Sequence, residues 1–357
     1  MRRHYNHGVQ RDFAFVEIAP GRLFTGWGPF ERRPIRAVGR PAFFITDFFL
    51  DDPQPWWHPS RWEELSIAEL LSRVDPAPSP EIIWDPVDID RFATVFASAR
   101  TAIEHHDFNK VVPVVFEHGT LSQPGSIFWR AFLQRLSAAP VPMRAYGLSH
   151  GIDGMVGATP EVLFESDRRG YRTMALAGTR PVECAGELLR DPKELREHRV
   201  VVEDIIRRLA PFGNVEIEPL SVLELPSIAH LLTLIRFEET AAEKLSPVEL
   251  VRRLHPTAAL GVSPRNAAGE RWLREADQGV GRRMFGAPFG VVLGEAISTF
   301  LVAIRNLCWS GRSIRVGAGA GVLAESRLDR EFDELRQKRD QVKALFGIES
   351  PVAVVEG

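Results

Sequence analysis

Apolar positions change period several times along the chain, and each change marks an element. Arg91–His106 places Phe92, Val95, Phe96 and Ile103 at helical spacing, which predicts a helix. Lys110–Phe116, KVVPVVF, is a β-rich run, and Pro113, which has no N–H to donate, assigns it to an edge or a bulge. Phe128–Leu136 predicts another helix, and Met155–Glu165 reads as strand, Gly-containing turn, strand. Asp191-Pro192-Lys193-Glu194 is a helix start: Asp is a good N-cap, Pro suits the first helical position, and the Glu completes a capping box. That helix is expected to run to about Leu209, with Val200, Val201, Ile205 and Leu209 on its apolar face. Ile228–Arg236 is a strand, and SIRVGAGAGVL is a strand entering a Gly-rich turn. Ser326-Arg327-Leu328-Asp329 is a second capping signal, before a final helix over Asp329–Phe346.

The chain before Asp75 is less regular. It is rich in aromatics, with FFITDFFL at Phe43–Leu50 and Pro-Trp-Trp at 55–57, and its alternation is poor. Trp62–Val74 has helical spacing. Asp75–Pro80, DPAPSP, reads as a linker, because its prolines cannot hold a helix. After about Asp88 the pattern alternates more clearly, which divides the chain into 1–87 and 88–357. Strands and long helices are interspersed without a βαβα rhythm. An α+β architecture follows, with large antiparallel sheets and helices packed outside.

Composition narrows the class. The 357 residues are 45% hydrophobic and 25% charged, the balance of a soluble globular protein. A net charge of -3 gives no electrostatic reason to expect nucleic acid or an anionic membrane as partner. Cys184 and Cys308 are too few for a disulfide framework, and a cytoplasmic location fits them. The N-terminal MRRHYNHGVQRDF is basic but lacks the apolar core of a signal peptide. Met284–Ile304 is about the 20 residues a membrane span needs. Glu295 in its middle would cost roughly 3 kcal/mol there, and Gly294-Glu295 looks like a turn, so the segment reads as two buried strands and no span is expected.

Several groups are candidates for chemistry. Glu194 and Glu197 share one face near the start of a helix, and Glu331 and Glu334 do the same on the last helix, with Lys338 one turn on. Two such carboxylate pairs suit Mg²⁺, with water positions left for a substrate carboxylate. Acidic residues in a first turn also suit the helix dipole and simply face water, so spacing alone decides neither. Gly317–Gly321 lets backbone N–H groups approach an anion, or serves only as a tight turn; it has neither a P-loop nor a Rossmann fingerprint. Lys110 heads an apolar strand, where a partly desolvated lysine can act as a base. Glu161 lies in a turn between apolar strands, where a carboxyl of raised pKa can act as an acid. His230 lies inside an apolar strand and His255 in His-Pro-Thr; each fits a plain structural role equally well. No HExxH occurs, which leaves a metalloprotease reading unsupported.

Nine segments, taken in order, resemble the chorismate-utilising enzymes: isochorismate synthases, salicylate synthases, anthranilate synthase large subunits and aminodeoxychorismate synthases. They are NKVVPVV (109–115), GATPEVLFE (157–165), ALAGTRP (175–181), DPKELREH (191–198), AHLLT (229–233), LHPTAALGVSPR (254–265), FGAPFG (285–290), AIRN (303–306) and GAGAGVLAESRLDREFDELRQK (317–338). Each is weak alone, but nine in the family's order are specific. The resemblance runs from about Asp88 to the C-terminus, which implies that 88–357 is the chorismate-binding catalytic region and 1–87 the family's variable N-terminal portion of the same fold. It implies a sandwich of two large antiparallel β-sheets with helices outside and the active site between them. It implies Mg²⁺ on Glu197 and Glu334, supported by Glu194 and Glu331. It places Arg305, Lys338 and the Gly319–Gly321 backbone around the substrate carboxylates, and Gly178, Thr179, His230 and Phe285 in the same pocket.

Within the family the chain is most similar to the isochorismate synthases. In these and in salicylate synthases a lysine matches Lys110 and activates water for attack at C2, where anthranilate synthases carry glutamine. Glu161 matches the acid that protonates the departing C4 hydroxyl. Ala259 resembles isochorismate synthases, where relatives that make salicylate or anthranilate tend to carry Thr. Ala175–Thr179 stands where aminodeoxychorismate synthases have a PIKGT-type lysine. Two departures occur: Val111–Val115 lacks the usual polar residue after the lysine, and Ala258 replaces the usual Pro. The expectation is an isomerase that converts chorismate to isochorismate with Mg²⁺, serving menaquinone or siderophore biosynthesis and monomeric rather than obligately oligomeric. The alternatives are a salicylate synthase and a non-catalytic chorismate-binding homologue.

Overall fold

The computed structural model describes residues 12–74, 76–240, 245–294 and 296–348. The basic N-terminal segment through residue 11, Asp75 of the linker, and the Glu295 turn lie outside the described residues.

Every strand pairing in the described chain is antiparallel, and 17 strands join in one hydrogen-bonded ribbon. Its first half runs Ile82–Trp84, Val114–Leu121, Ser313–Gly319, Asn306–Ser310, Asp153–Thr159, Arg144–His150, Phe13–Ala19, Arg22–Arg33 and Trp56–Leu65. The second half runs Ala42–Ile45, Pro288–Val292, Ser298–Val302, Val162–Asp167, Gly170–Pro181 and Ile228–Glu239. Gly213–Ile217 and Ser221–Glu224 lie end to end on its outer edge. The halves meet through the short ladder of Phe43 with Trp57 and Phe44 with Trp56. The two expected sheets are thus one folded ribbon, and the architecture is α+β with helices at the periphery.

Side chains show how the ribbon folds. In Phe13–Ala19 the residues alternate between two cores: Phe13 and Phe15 enter one, Ala14 and Val16 the other. The second core combines Phe24, Tyr146 and Met155 of the first half with Phe43, Phe289 and Leu301 of the second. The halves therefore pack face to face. Outside the first half lie the helix Trp129–Leu136 and the end of the last helix, through Trp129, Phe132, Val342 and Phe346. Outside the second half lie Pro192–Leu209 and Pro247–Leu254, through Val201, Ile205, Leu209 and Val251. Burial on both faces explains the poor alternation of the N-terminal strands: neither face needs polar residues. No helix among the described residues is long and apolar enough to cross a membrane, and Met284–Ile304 contains the two strands Pro288–Val292 and Ser298–Val302.

Several local expectations are corrected. Helical spacing over Trp62–Val74 begins too early: Trp62–Leu65 is strand, paired with Leu23–Gly26, and the helix spans only Ile67–Leu71. Ser66 caps it in a box with Glu69, a signal that the apolar spacing obscured. The Lys110–Phe116 run splits at Pro113. Lys110–Val111 pairs with Val262–Ser263 in a separate small sheet, and Val114 starts a strand of the main ribbon. In Met155–Glu165 the glycine stays in the strand Asp153–Thr159, and Pro160-Glu161 makes the turn.

Candidate active site

Lys110 is fixed by the backbone on both sides. Val111 next to it bridges to Val322 just after the Gly-rich turn, while Lys110 itself pairs with Ser263. Its side chain is fully buried, and Nζ lies 2.9 Å from Glu197 Oε1. Gly321 makes this approach possible. A Cβ there would stand 2.7 Å from Lys110 Cε and collide with the Glu197 carboxylate. The glycine is needed for close approach, not for a left-handed conformation.

The helix Pro192–Leu209 starts as the sequence predicts, with Asp191 Oδ1 accepting from Lys193 N at 2.9 Å and Glu194 N at 3.2 Å. The capping box does not close. Glu194 Oε2 turns instead to the neighbouring strand and accepts from Thr179 N at 2.8 Å, beside Gly178, whose φ of 81° bends that strand. The last helix differs too. Ser326 is not its cap: Arg327 is, without a side-chain bond. Ser326 Oγ accepts from Leu323 N at 3.1 Å, which fixes the end of the Gly-rich turn.

Between the two helix starts the Lys193 ammonium lies 3.2 Å from Glu194 Oε1, 3.3 Å from Glu197 Oε2 and 3.3 Å from Glu331 Oε1. The fourth carboxylate, Glu334, pairs with Lys338 at 2.5 Å, and Lys338 Nζ also donates to Gly319 O at 2.9 Å. Burial raises the pKa of Glu194, and the neighbouring Glu197 charge raises it further. Burial and Glu334 do the same to Glu331. Burial pushes Glu197 up as well, but the ammonium groups of Lys110 and Lys193 outweigh it and hold Glu197 below the usual carboxylate range. Among the described residues no three acidic, His or Cys side chains stand ready as a metal cluster. The donor set nonetheless fits a hard cation: all donors are carboxylate oxygens, and Glu331, 2% exposed, keeps Oε2 without a partner.

A cleft opens in front of this cluster. Its lining includes Glu197, Gly319, Gly321 and Lys338, Gly178, Thr179 and His230, and Glu161, Ala259, Phe285 and Arg305. Lys110, Glu194, Glu331 and Glu334 stand behind the lining. Glu161 is 4% exposed, and burial pushes its carboxyl up to about 7 against the pull of the Lys110 charge. His230 is kept neutral by burial and by the Arg305 and Lys338 charges. A guanidinium only donates, so His230 Nε2, 3.3 Å from Arg305, is the acceptor, and Nδ1–H faces Thr179 Oγ1 at 3.0 Å. Arg305 is buried at a left-handed φ of 56° and donates to Gln341 Oε1 at 2.5 Å. His255 is a buried structural histidine bonded to Phe48 O at 2.7 Å.

Sequence reasoning missed Lys193 and Gln341. Lys193 lay inside a quoted motif, but a lysine in a helix's first turn carries no signal of its own. Gln341 is one turn beyond the last residue singled out, and only the strained Arg305 gives it a purpose.

Known proteins bear on this geometry. A family model described as chorismate binding enzyme matches residues 57–346. Isochorismate synthase MenF of Haemophilus influenzae is 34% identical over 215 residues, covering 56% of this chain and 47% of that protein. Anthranilate synthase component 1 of Thermus thermophilus is 31% identical over 231 residues, covering 61% of this chain and 49% of that protein. The chain thus matches about half the length of these curated relatives. The solved structure of MenF, the menaquinone-specific isochorismate synthase of Escherichia coli, superposes with a TM-score of 0.80 at 19% identity, over 94% of this chain and 88% of that one.

Proposed function

We propose, for a chain that belongs to the chorismate-binding enzyme family, that it converts chorismate to isochorismate with Mg²⁺. One observation carries the choice within the family. The site combines a buried lysine, Lys110, with a buried carboxyl, Glu161, that burial keeps protonated to about pH 7. Exchange of a hydroxyl from C4 to C2 needs one base and one acid, and these are the two groups.

Lys110, after giving to solvent the ammonium proton it carries beside Glu197, takes a proton from water as the water oxygen bonds to C2. Both ring double bonds shift, from C1–C2 to C1–C6 and from C5–C6 to C4–C5, the C4–O bond breaks, and Glu161 gives its proton to the departing hydroxyl, which leaves as water. Lys110 then releases its proton and Glu161 takes one up, by way of solvent, so the net change is an isomerisation. Glu197 and Glu334, with Glu194 and Glu331 in support, are the residues that would hold Mg²⁺. When bound, the ion supplies positive charge for the ring carboxylate of the substrate. Arg305 and Lys338 face the cleft with donors for the substrate's carboxylates. Gln341 and His230 fix the direction of the Arg305 guanidinium.

The acid role sets a pH dependence. Below about 7 the Glu161 carboxyl holds its proton and can donate it; above, it is a carboxylate and cannot. The turnover number should therefore fall about tenfold per pH unit on the alkaline side. Glu161→Gln should be slow at every pH and lack that limb. A wild-type profile unchanged from pH 6 to 9 would remove Glu161 from the role.

Product identity rests on space. Pyruvate loss from isochorismate is pericyclic, so it depends on the conformation in which the ring is held rather than on a further base. Ala259 lines the cleft, and so small a side chain would leave the enolpyruvyl group room. Purified protein given chorismate and Mg²⁺ should release isochorismate with little salicylate, and Ala259→Thr should raise the salicylate fraction. Stoichiometric salicylate and pyruvate from the wild type would make it a salicylate synthase instead.

A further inference from the structure

The Lys193 ammonium has no place in the reaction above, yet it sits at the centre of the carboxylates. It touches Glu194, Glu197 and Glu331 at 3.2 Å, 3.3 Å and 3.3 Å, bringing together both helix starts. These are oxygens that an Mg²⁺ between the helices would draw on. The position is a costly one for a lysine: it follows Pro192 in the first turn, where the helix dipole repels a cation. The carboxylates hold it there, not the helix. A divalent ion and an ammonium cannot share that space, because like charges so close repel strongly in a partly buried site. The side chain is 21% exposed, so it has a way out to solvent.

We propose that Lys193 is a tethered competitor for the metal position, an internal cation that bridges the three carboxylates and must swing out to solvent when Mg²⁺ binds. The proposal rests on the metal reading of the previous subsection. Two consequences follow. Lys193 keeps the two acidic helix starts together in the metal-free protein, where the carboxylates would otherwise repel. It also lowers the apparent affinity for Mg²⁺ by the fraction of molecules in which it occupies the position.

The test uses the full chain and Mg²⁺ alone. In wild-type protein, acylation of Lys193 by an amine-reactive reagent, read by peptide mass spectrometry, should rise severalfold when saturating Mg²⁺ replaces EDTA. By calorimetry, Lys193→Gln should bind Mg²⁺ about tenfold more tightly, if the ammonium holds the position in roughly nine molecules of ten. Lys193→Arg keeps a cation and should bind no more tightly than wild type. If wild type binds Mg²⁺ while the reactivity of Lys193 stays constant, the ammonium does not move and the inference is overturned, with the metal reading intact. Equal affinity in Lys193→Gln and wild type has the same meaning. If neither wild type nor variant binds Mg²⁺, the metal reading falls and the inference with it. Should the glutamine variant fail to fold, the wild-type reactivity decides.

Discussion

Excess EDTA is expected to stop turnover of chorismate, and added Mg²⁺ to restore it. The carboxylates at the wall that carries Glu197 outnumber their cations: Glu194, Glu197, Glu331 and Glu334 share the ammonium groups of Lys110, Lys193 and Lys338. A substrate that brings carboxylates to that wall meets repulsion unless further positive charge is present. A bound divalent ion contributes several kcal/mol of charge stabilisation. At a factor of ten per about 1.4 kcal/mol, its loss should cost about 10³-fold or more. Glu197→Gln removes the carboxylate nearest the cleft and should weaken Mg²⁺ binding and turnover together. Glu334→Gln should do the same from the other helix. An EDTA titration of the rate, with Mg²⁺ added back, checks this, and full activity in excess chelator would end the metal assignment.

The second large effect is that of Lys110→Ala. Its ammonium lies buried against Glu197 at 2.9 Å, so the substitution takes away both a base and the partner of a buried carboxylate. The loss of one acid–base group predicts a rate lower by roughly 10²–10⁴ with chorismate binding largely kept. The loss of a partner predicts lower stability, because breaking a buried pair is strongly destabilising. Lys110→Arg separates the two. An arginine preserves a cation opposite Glu197 but does not release its proton. It should therefore recover stability without recovering the rate. Turnover numbers and thermal midpoints for the three proteins give the answer, and an alanine variant at wild-type speed would place the base elsewhere.

Legibility in the sequence follows the range of the interactions. The helix Pro192–Leu209 was readable because its cap, its proline and its apolar face are all local. Glu194 was misread as part of a capping box, because its real partner, Thr179 N, comes from a strand whose position depends on the whole ribbon. Ser326 repeats the lesson: its partner lies back in the Gly-rich turn, not ahead in the helix. Trp62–Leu65 has helical spacing but finds a ready strand in Leu23–Gly26, and pairing overrides the pattern. Glu161, Glu197, His230 and Lys338 stand out from their local setting, but their meeting in one cleft with Ala259 and Arg305 came from the resemblance. The cleft lining contains Glu161, Glu197, His230, Ala259, Arg305 and Lys338 together, from segments far apart in the chain. Lys193 stayed hidden because its meaning lies in three carboxylates on two helices, a convergence no local spacing displays.

Turnover in ¹⁸O-labelled water shows directly whether water attacks C2, as Lys110 acting as base and Glu161 acting as acid require. Purified protein, chorismate and Mg²⁺ would be incubated and the product identified by mass spectrometry with positional analysis. The expected product is isochorismate carrying one solvent oxygen, at the C2 hydroxyl, with no need for ammonium and no release of pyruvate. Unlabelled isochorismate, or an aminated product formed only when ammonium is present, would contradict it.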